Sequence, residues 1–283
     1  MRLRTLPLSV AGIVVGSMAS YGAETFSWSI MVLAVFTVLA LQTVSNLANE
    51  LGDALKLADS HDRQGPKHGI LAGKVTKKEI AILIGFFTAI SIIAGLSLIA
   101  VSFGGLFTIK SISFIAFGAL CIVAAVGYTL GKKTYGYMRL GDMAVFIFFG
   151  LMSVMGANYL QCKTLESSML LPAISIGALS VAVLNINNMR DMQSDERAKK
   201  LTIALWLGAR GARIYQSALI LVAVVSWGMF DGWWIAFFIP IFGYHVYKCF
   251  TMQGKELDSQ LPLISFTTIA ITAIYTAITV IYC

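Results

Sequence analysis

The sequence predicts an all-α membrane protein, a polytopic helical bundle of about nine transmembrane helices. Two observations predict it. Of the 283 residues, 58% are hydrophobic and only 12% charged, with a mean hydropathy of +0.80; a soluble domain carries about a quarter charged residues. The apolar residues also gather into runs of roughly 20 from one end of the chain to the other, each enough to cross the hydrocarbon core as a helix.

The spans follow in order from those runs. Thr5–Tyr21 comes directly after Arg2 and Arg4 and has no small-residue cleavage site, so it reads as a retained helix rather than a cleaved signal. Ser27–Leu47 is the greasiest early stretch, and it ends abruptly in "NLANELGD". Lys78–Val101 and Ser111–Leu130 are separated by "FGGLF", whose glycines read as turn or packing residues. Asp142–Gln161, Met169–Asn188 and Ala212–Met229 form the fifth to seventh spans. The eighth, Trp233–Phe250, contains Pro240, whose missing backbone donor neighbouring helices can offset. Leu261–Tyr282 is the ninth.

Charge sets the expected orientation. With nine spans, the N-terminus and the loops after spans two, four, six and eight share one side. That side holds 19 of the Lys and Arg residues, and the other holds only Lys110 and Lys163. The positive-inside rule then puts the N-terminus and those loops in the cytoplasm and the C-terminus outside, in a cytoplasmic (inner) membrane. Tyr21, Trp28, Trp227, Trp233 and Trp234 cluster at the opposite span ends, as an aromatic belt does. The net charge of +7 therefore reads as topology, with membrane lipid rather than nucleic acid as the partner. Cys121, Cys162, Cys249 and Cys283 are scattered singly and point to no disulfide framework or metal cluster. His245, alone in the eighth span, reads as a packed or hydrogen-bonded histidine. No repeat or long linker divides the chain, so residues 1–283 read as a single integral-membrane domain.

The acidic residues call for a chemical reason. Of 14 Asp and Glu, only Glu24, Glu166 and Asp231 fall on the outer side, although carboxylates contribute little to orientation. Asn46, Asn49, Glu50 and Asp53 are spaced i, i+3, i+4, i+7, so a continued second helix would carry all four on one face. In "LNINNMRDMQSDERAKKLT", Asn185, Asn188, Asp191 and Asp195 are expected to stack along one side of the sixth helix. Such paired faces suit Mg²⁺, a hard cation that takes one or two carboxylates together with substrate phosphates and water. Arg63, Lys132, Lys133, Arg139, Arg190 and Lys200 lie on the same side, and arginine forks match phosphate oxygens.

These motifs resemble those of the UbiA superfamily of intramembrane prenyltransferases. "NELGDALKLAD" is similar to the first aspartate-rich motif, with Asp53 and Asp59 in the D-x-x-x-x-x-D spacing of the 1,4-dihydroxy-2-naphthoate polyprenyltransferases of menaquinone synthesis. "RDMQSDERAKKLT" resembles the second, with Asp191 and Asp195. "RLRTLPLSVAGIVVG", "HDRQGPKHGI", "YGYMRLGDMAVFIFFGLMSVMG" and "VLNINNMRD" extend the likeness colinearly from about residue 2 to 210. Glu50 stands where the family usually has Asp, and Leu57 where it usually has Gly.

The resemblance implies a UbiA-like fold and Mg²⁺-dependent transfer of a polyprenyl group from polyprenyl diphosphate to 1,4-dihydroxy-2-naphthoate, with decarboxylation, giving demethylmenaquinone. It implies Asp53, Asp191 and Asp195 as catalytic. Asn49, Glu50, Asp53, Asp59, Asn188, Asp191 and Asp195 would hold metal. Arg63, Lys132, Lys133 and Lys200 would bind diphosphate, and Tyr128, Tyr137 and Asp142 would border the acceptor. The alternatives are a sister enzyme with another aromatic acceptor, such as 4-hydroxybenzoate, and a cation transporter. Transporter carboxylates usually lie near the midplane in repeat-related pairs, whereas these crowd one end among bases.

Overall fold

The computed structural model of the chain describes residues 6–55, 69–70, 72–131 and 134–282. Its helices follow the apolar runs: α1 Leu6–Met18, α2 Trp28–Leu55, α3 Lys77–Phe103, α4 Ile109–Gly127, α5 Gly141–Val145, α6 Ser153–Cys162, α7 Leu170–Arg190, α8 Met192–Arg197, α9 Ile203–Asp231, α10 Ile239–Thr251 and α11 Gln260–Tyr282. A π-helix, Phe146–Met152, welds α5 to α6, so the fifth span is continuous from Gly141 to Cys162. Among the described residues, seven helices are long and apolar enough to cross a membrane. The expected count of nine is approximate because α1 and α10 have only 13 residues each.

Three boundaries differ from expectation for local reasons. Helix α2 runs on past Leu47 to Leu55, carrying its polar face beyond the apolar run. Pro240 does not interrupt the eighth span; a 3-10 segment, Trp233–Phe238, precedes α10, and Pro240 sits in that helix's first turn, where no backbone donor is required. Helix α9 begins at Ile203 rather than near Ala212, capped by the Thr202 hydroxyl, which accepts from the Leu205 N–H at 3.2 Å. It breaks at Gly208, whose φ of 70° is cheap only for glycine.

Helix α7 is the central post of the bundle. Its most apolar stretch is 78% buried against 6% for α4, so α7 is core while α4 lies at the periphery. Packed on α7 are α9, α11 and the π-helix, while α1 lies against α6 and α2 against α3. Several polar side chains inside the bundle find partners on neighbouring segments. Asn158 on α6 donates to Ser20 Oγ at 3.0 Å, and Gln161 exchanges two hydrogen bonds with the Ser27 backbone. These contacts lie at the end of the bundle opposite the carboxylates.

Candidate active site

The first carboxylate face is a continuous helical one, as the spacing predicts if α2 continues. Asn46, Asn49, Glu50 and Asp53 are all buried on α2. The end of α4 docks there: the Thr129 hydroxyl lies 2.9 Å from Asn49 Oδ1 and 3.0 Å from the Ala48 carbonyl, sharing its proton between them. Tyr137 O–H donates to Asp53 Oδ1 at 2.8 Å. The longer reach of Glu50 has a visible use, since its Oε1 accepts the Ile70 N–H at 3.2 Å and anchors the chain that returns toward α3.

The second face is not one helix. Helix α7 stops at Arg190, and Asp191, at φ −97° and ψ 11°, is the corner from which α8 starts. The expected single ladder is thereby corrected. Asn185 turns the other way and donates to the Ala212 carbonyl at 3.0 Å and to Gln216 Oε1 at 2.8 Å on α9. Asn188, Asp191 and Asp195 remain together and buried, and the Asp195 N–H donates to the Asp191 carbonyl at 2.9 Å across the corner. Asp191 itself receives a two-pronged grip from Arg190.

A bridge joins the two faces. Lys200 Nζ stands 3.5 Å from Asp195 Oδ1 and 5.8 Å from the centre of the Tyr137 ring, whose hydroxyl reaches Asp53. The loops carrying these residues are zipped by backbone bonds, Arg139 N–H to Leu201 O at 3.0 Å and Leu201 N–H to Tyr137 O at 3.2 Å. The carboxylates of α2 and α8 are thus held to a common frame.

Beneath the frame lies a cavity of about 310 Å³. Its polar mouth is formed by Asn46, Asn49, Asn187, Tyr128 and Tyr135, and its far part by Leu98, Phe114, Phe117 and Leu160. Tyr128 is seated between two glycines of the "YGYMRLGD" stretch: a Cβ on Gly136 would lie 2.7 Å from its ring, and one on Gly141 2.7 Å from its hydroxyl. Tyr135 packs edge-on against Tyr128 and donates to the Ala124 carbonyl at 2.6 Å. Burial, reinforced by Tyr128 and Cys121, pushes the Tyr135 phenol up to about 12, so it stays a protonated donor.

Of the acceptor residues inferred from sequence, Tyr128 lines the cavity, whereas Tyr137 and Asp142 do not. Asp142 is buried and hydrogen-bonds Tyr215 on α9. Asp59, Arg63, Lys132 and Lys133 lie outside the described residues. Sequence reasoning missed Asn187, which faces the cavity one residue from Asn188, and Thr129, which orients Asn49. The Asn187–Asn188 doublet was a signal for the former, because adjacent helical residues point about 100° apart.

Carboxylate and amide oxygens are hard donors, the set Mg²⁺ prefers. Among the described residues, no three His, Cys, Asp or Glu side chains converge into a metal-ligand cluster. These donors fit a cation that completes its shell with phosphate and water.

The sequence pattern of the UbiA prenyltransferase family matches residues 9–267. A 1,4-dihydroxy-2-naphthoate octaprenyltransferase of Haemophilus influenzae is 38% identical, over 97% of this chain and 92% of that protein. The Escherichia coli protein of the same name is 40% identical over 82% of this chain and 74% of its own. Among solved structures, a UbiA homolog from Aeropyrum pernix K1 superposes with a TM-score of 0.71 over 97% of this chain and 98% of that one, at 16% identity, a likeness of fold.

Proposed function

The chain belongs to the UbiA prenyltransferase family, and from that premise we propose that it transfers a polyprenyl group from polyprenyl diphosphate to 1,4-dihydroxy-2-naphthoate. The observation that carries the reading is the pair of buried carboxylate faces standing over an apolar cavity, in a chain 38–40% identical to proteins named for that acceptor. The protein is an integral membrane enzyme. Residues 1–283 act as one domain, and the 19-to-2 division of basic residues supports a cytoplasmic N-terminus and cytoplasmic site loops in the inner membrane.

Each part of the site has a task. The prenyl tail lies among Leu98, Phe114, Phe117 and Leu160, and its diphosphate lies at the polar mouth beside Asn49 and Asn187. Asn49, Asp53, Asn188, Asp191 and Asp195 would hold Mg²⁺, which when bound supplies charge neutralisation to the departing diphosphate. Lys200, with Arg63, Lys132 and Lys133, neutralises the remaining phosphate charge. The C1–O bond breaks toward an allylic cation, and the faces of Tyr128 and Tyr135 at the mouth stabilise it through their ring electrons. The apolar walls keep water from capturing the cation. The electron-rich naphthoate ring attacks it, and loss of CO₂ gives demethylmenaquinone in its hydroquinone form. Tyr137 keeps Asp53 in position rather than touching the acceptor.

The test uses purified protein in detergent with radiolabelled polyprenyl diphosphate, Mg²⁺ and either 1,4-dihydroxy-2-naphthoate or 4-hydroxybenzoate, with EDTA as control. Labelled lipid from the naphthoate alone, abolished by EDTA, is the expected result. Product only from the hydroxybenzoate would overturn the acceptor while keeping the reaction class.

A further inference from the structure

Arg190 ends α7 with its guanidinium shared between carboxylates from distant parts of the chain. Nε and Nη2 donate to Asp191 Oδ1 and Oδ2 at 3.0 and 2.6 Å, and Nη1 donates to Asp258 Oδ1 at 2.7 Å. Asp258 belongs to a 3-10 turn, Gly254–Ser259, that leads into α11. The Arg190 side chain is 3% exposed and that of Asp258 25%, so the cation is inside and its second partner borders solvent.

A neutral chain of hydrogen bonds fixes where that turn sits. Gln260 Oε1 lies 3.0 Å from His245 Nδ1, and His245 Nε2 lies 2.9 Å from Gln216 Nε2. An amide oxygen only accepts, so Nδ1 carries the imidazole proton and Nε2 accepts from Gln216. Gln216 Oε1 in turn accepts from Asn185, one turn before Arg190 on α7. Gln260 and Asp258 therefore grip the same helix at two heights.

We propose that Asp258 is a positioning residue for the second carboxylate face: it retains the Arg190 charge when Asp191 turns from Arg190 toward a divalent cation. The inference rests on the Mg²⁺-dependent reading given above. Both oxygens of Asp191 accept from Arg190, so a cation that takes Asp191 competes with the guanidinium for the same carboxylate. A buried arginine left unpaired is costly, and that cost would fall directly on cation affinity. Asp258 removes it by keeping one prong of the guanidinium paired throughout.

Mn²⁺ binding to the full chain in detergent, with inorganic pyrophosphate present, reads this without turnover through loss of the free-ion electron paramagnetic resonance signal. D258N should bind Mn²⁺ about ten-fold more weakly, within the usual range of coupling between sites. D258E should stay near wild type. R190Q, which removes the competing cation, should bind at least as tightly as wild type, and R190Q/D258N should recover most of what D258N loses. A purely structural role for Asp258 would leave the double variant no better than D258N, which would overturn the proposal. So would weakened binding in R190Q, a variant that also serves should D258N not fold. Wild type that binds no Mn²⁺ would sink the metal reading together with the proposal, whereas wild-type binding with an unchanged D258N sinks the proposal alone.

Discussion

The two carboxylate faces share a residue pattern and differ in what grips them. On α2, Asp53 receives a phenol proton from Tyr137, and Asn49 receives a hydroxyl proton from Thr129. At the α7–α8 corner, Asp191 is held by a buried guanidinium and Asp195 stands beside an ammonium group. Of these contacts, those on the first face come from neutral hydroxyls and those on the second from cations. Spacing along a helix decides where a carboxylate stands; its charge partner comes from elsewhere in the fold and decides what a ligand must displace to reach it.

Removing a carboxylate from each face should break function equally and stability unequally. Asp53→Ala and Asp191→Ala are both expected to lower turnover at least about a hundred-fold, the scale of losing one preorganised electrostatic group. Asp53→Ala takes the acceptor from the Tyr137 hydroxyl, costing about 1–3 kcal/mol. Asp191→Ala strips two hydrogen bonds from Arg190, yet Asp258 still pairs it, so the loss should stay below the ~3–5 kcal/mol of a stranded buried charge. Turnover and thermal unfolding in detergent check both; near-wild-type turnover in either variant defeats the assignment of the faces.

Smaller changes sharpen the same contrast. Tyr137→Phe keeps the ring under Lys200 and deletes only the donor to Asp53. It should lower kcat/KM about ten-fold, as expected for losing roughly 1.4 kcal/mol of transition-state stabilisation. Glu50 separates anchoring from metal binding. Glu50→Gln preserves an oxygen for the Ile70 N–H and should hold activity within about three-fold of wild type. Glu50→Asp, one methylene shorter, should lose the bond and about 1 kcal/mol of stability. A Gln variant as inactive as Asp53→Ala would instead make Glu50 a metal ligand.

How much of this was legible in the sequence depends on the distance over which each feature is decided. The apolar runs and the Asn46–Asp53 face are local, and α2 delivers them as the periodicity predicts. The second face was legible in composition and misread in shape, because Asp191 ends one helix and starts another, which a run of polar residues does not reveal. Asn185 fits the helical spacing and yet is spent on packing against Gln216. The Arg190–Asp258 pair joins residues 68 positions apart, and the Tyr137–Asp53 bond spans 84. No local pattern encodes either. Only the fold brings them together.

The smallest expected effect comes from Tyr135, two residues before Tyr137. Tyr137 donates to a carboxylate, whereas Tyr135 donates to the Ala124 backbone carbonyl at 2.6 Å. Burial raises the Tyr135 phenol from 10 to about 12. For an acid with a raised pKa, the folded state favours the protonated form. Its contribution to stability is therefore complete below pH 10 and unchanged across neutral pH, and relative to the unfolded chain it declines between pH 10 and about 12. Tyr135→Phe should consequently cost about 1 kcal/mol of stability and leave the pH dependence of turnover between pH 6 and 9, a range chosen well below that titration, superimposable on wild type. A shifted pH profile in Tyr135→Phe would show that this phenol exchanges a proton during turnover. The contrast with Tyr137, whose hydroxyl is tied to the Asp53 carboxylate, would then have to be redrawn around both tyrosines.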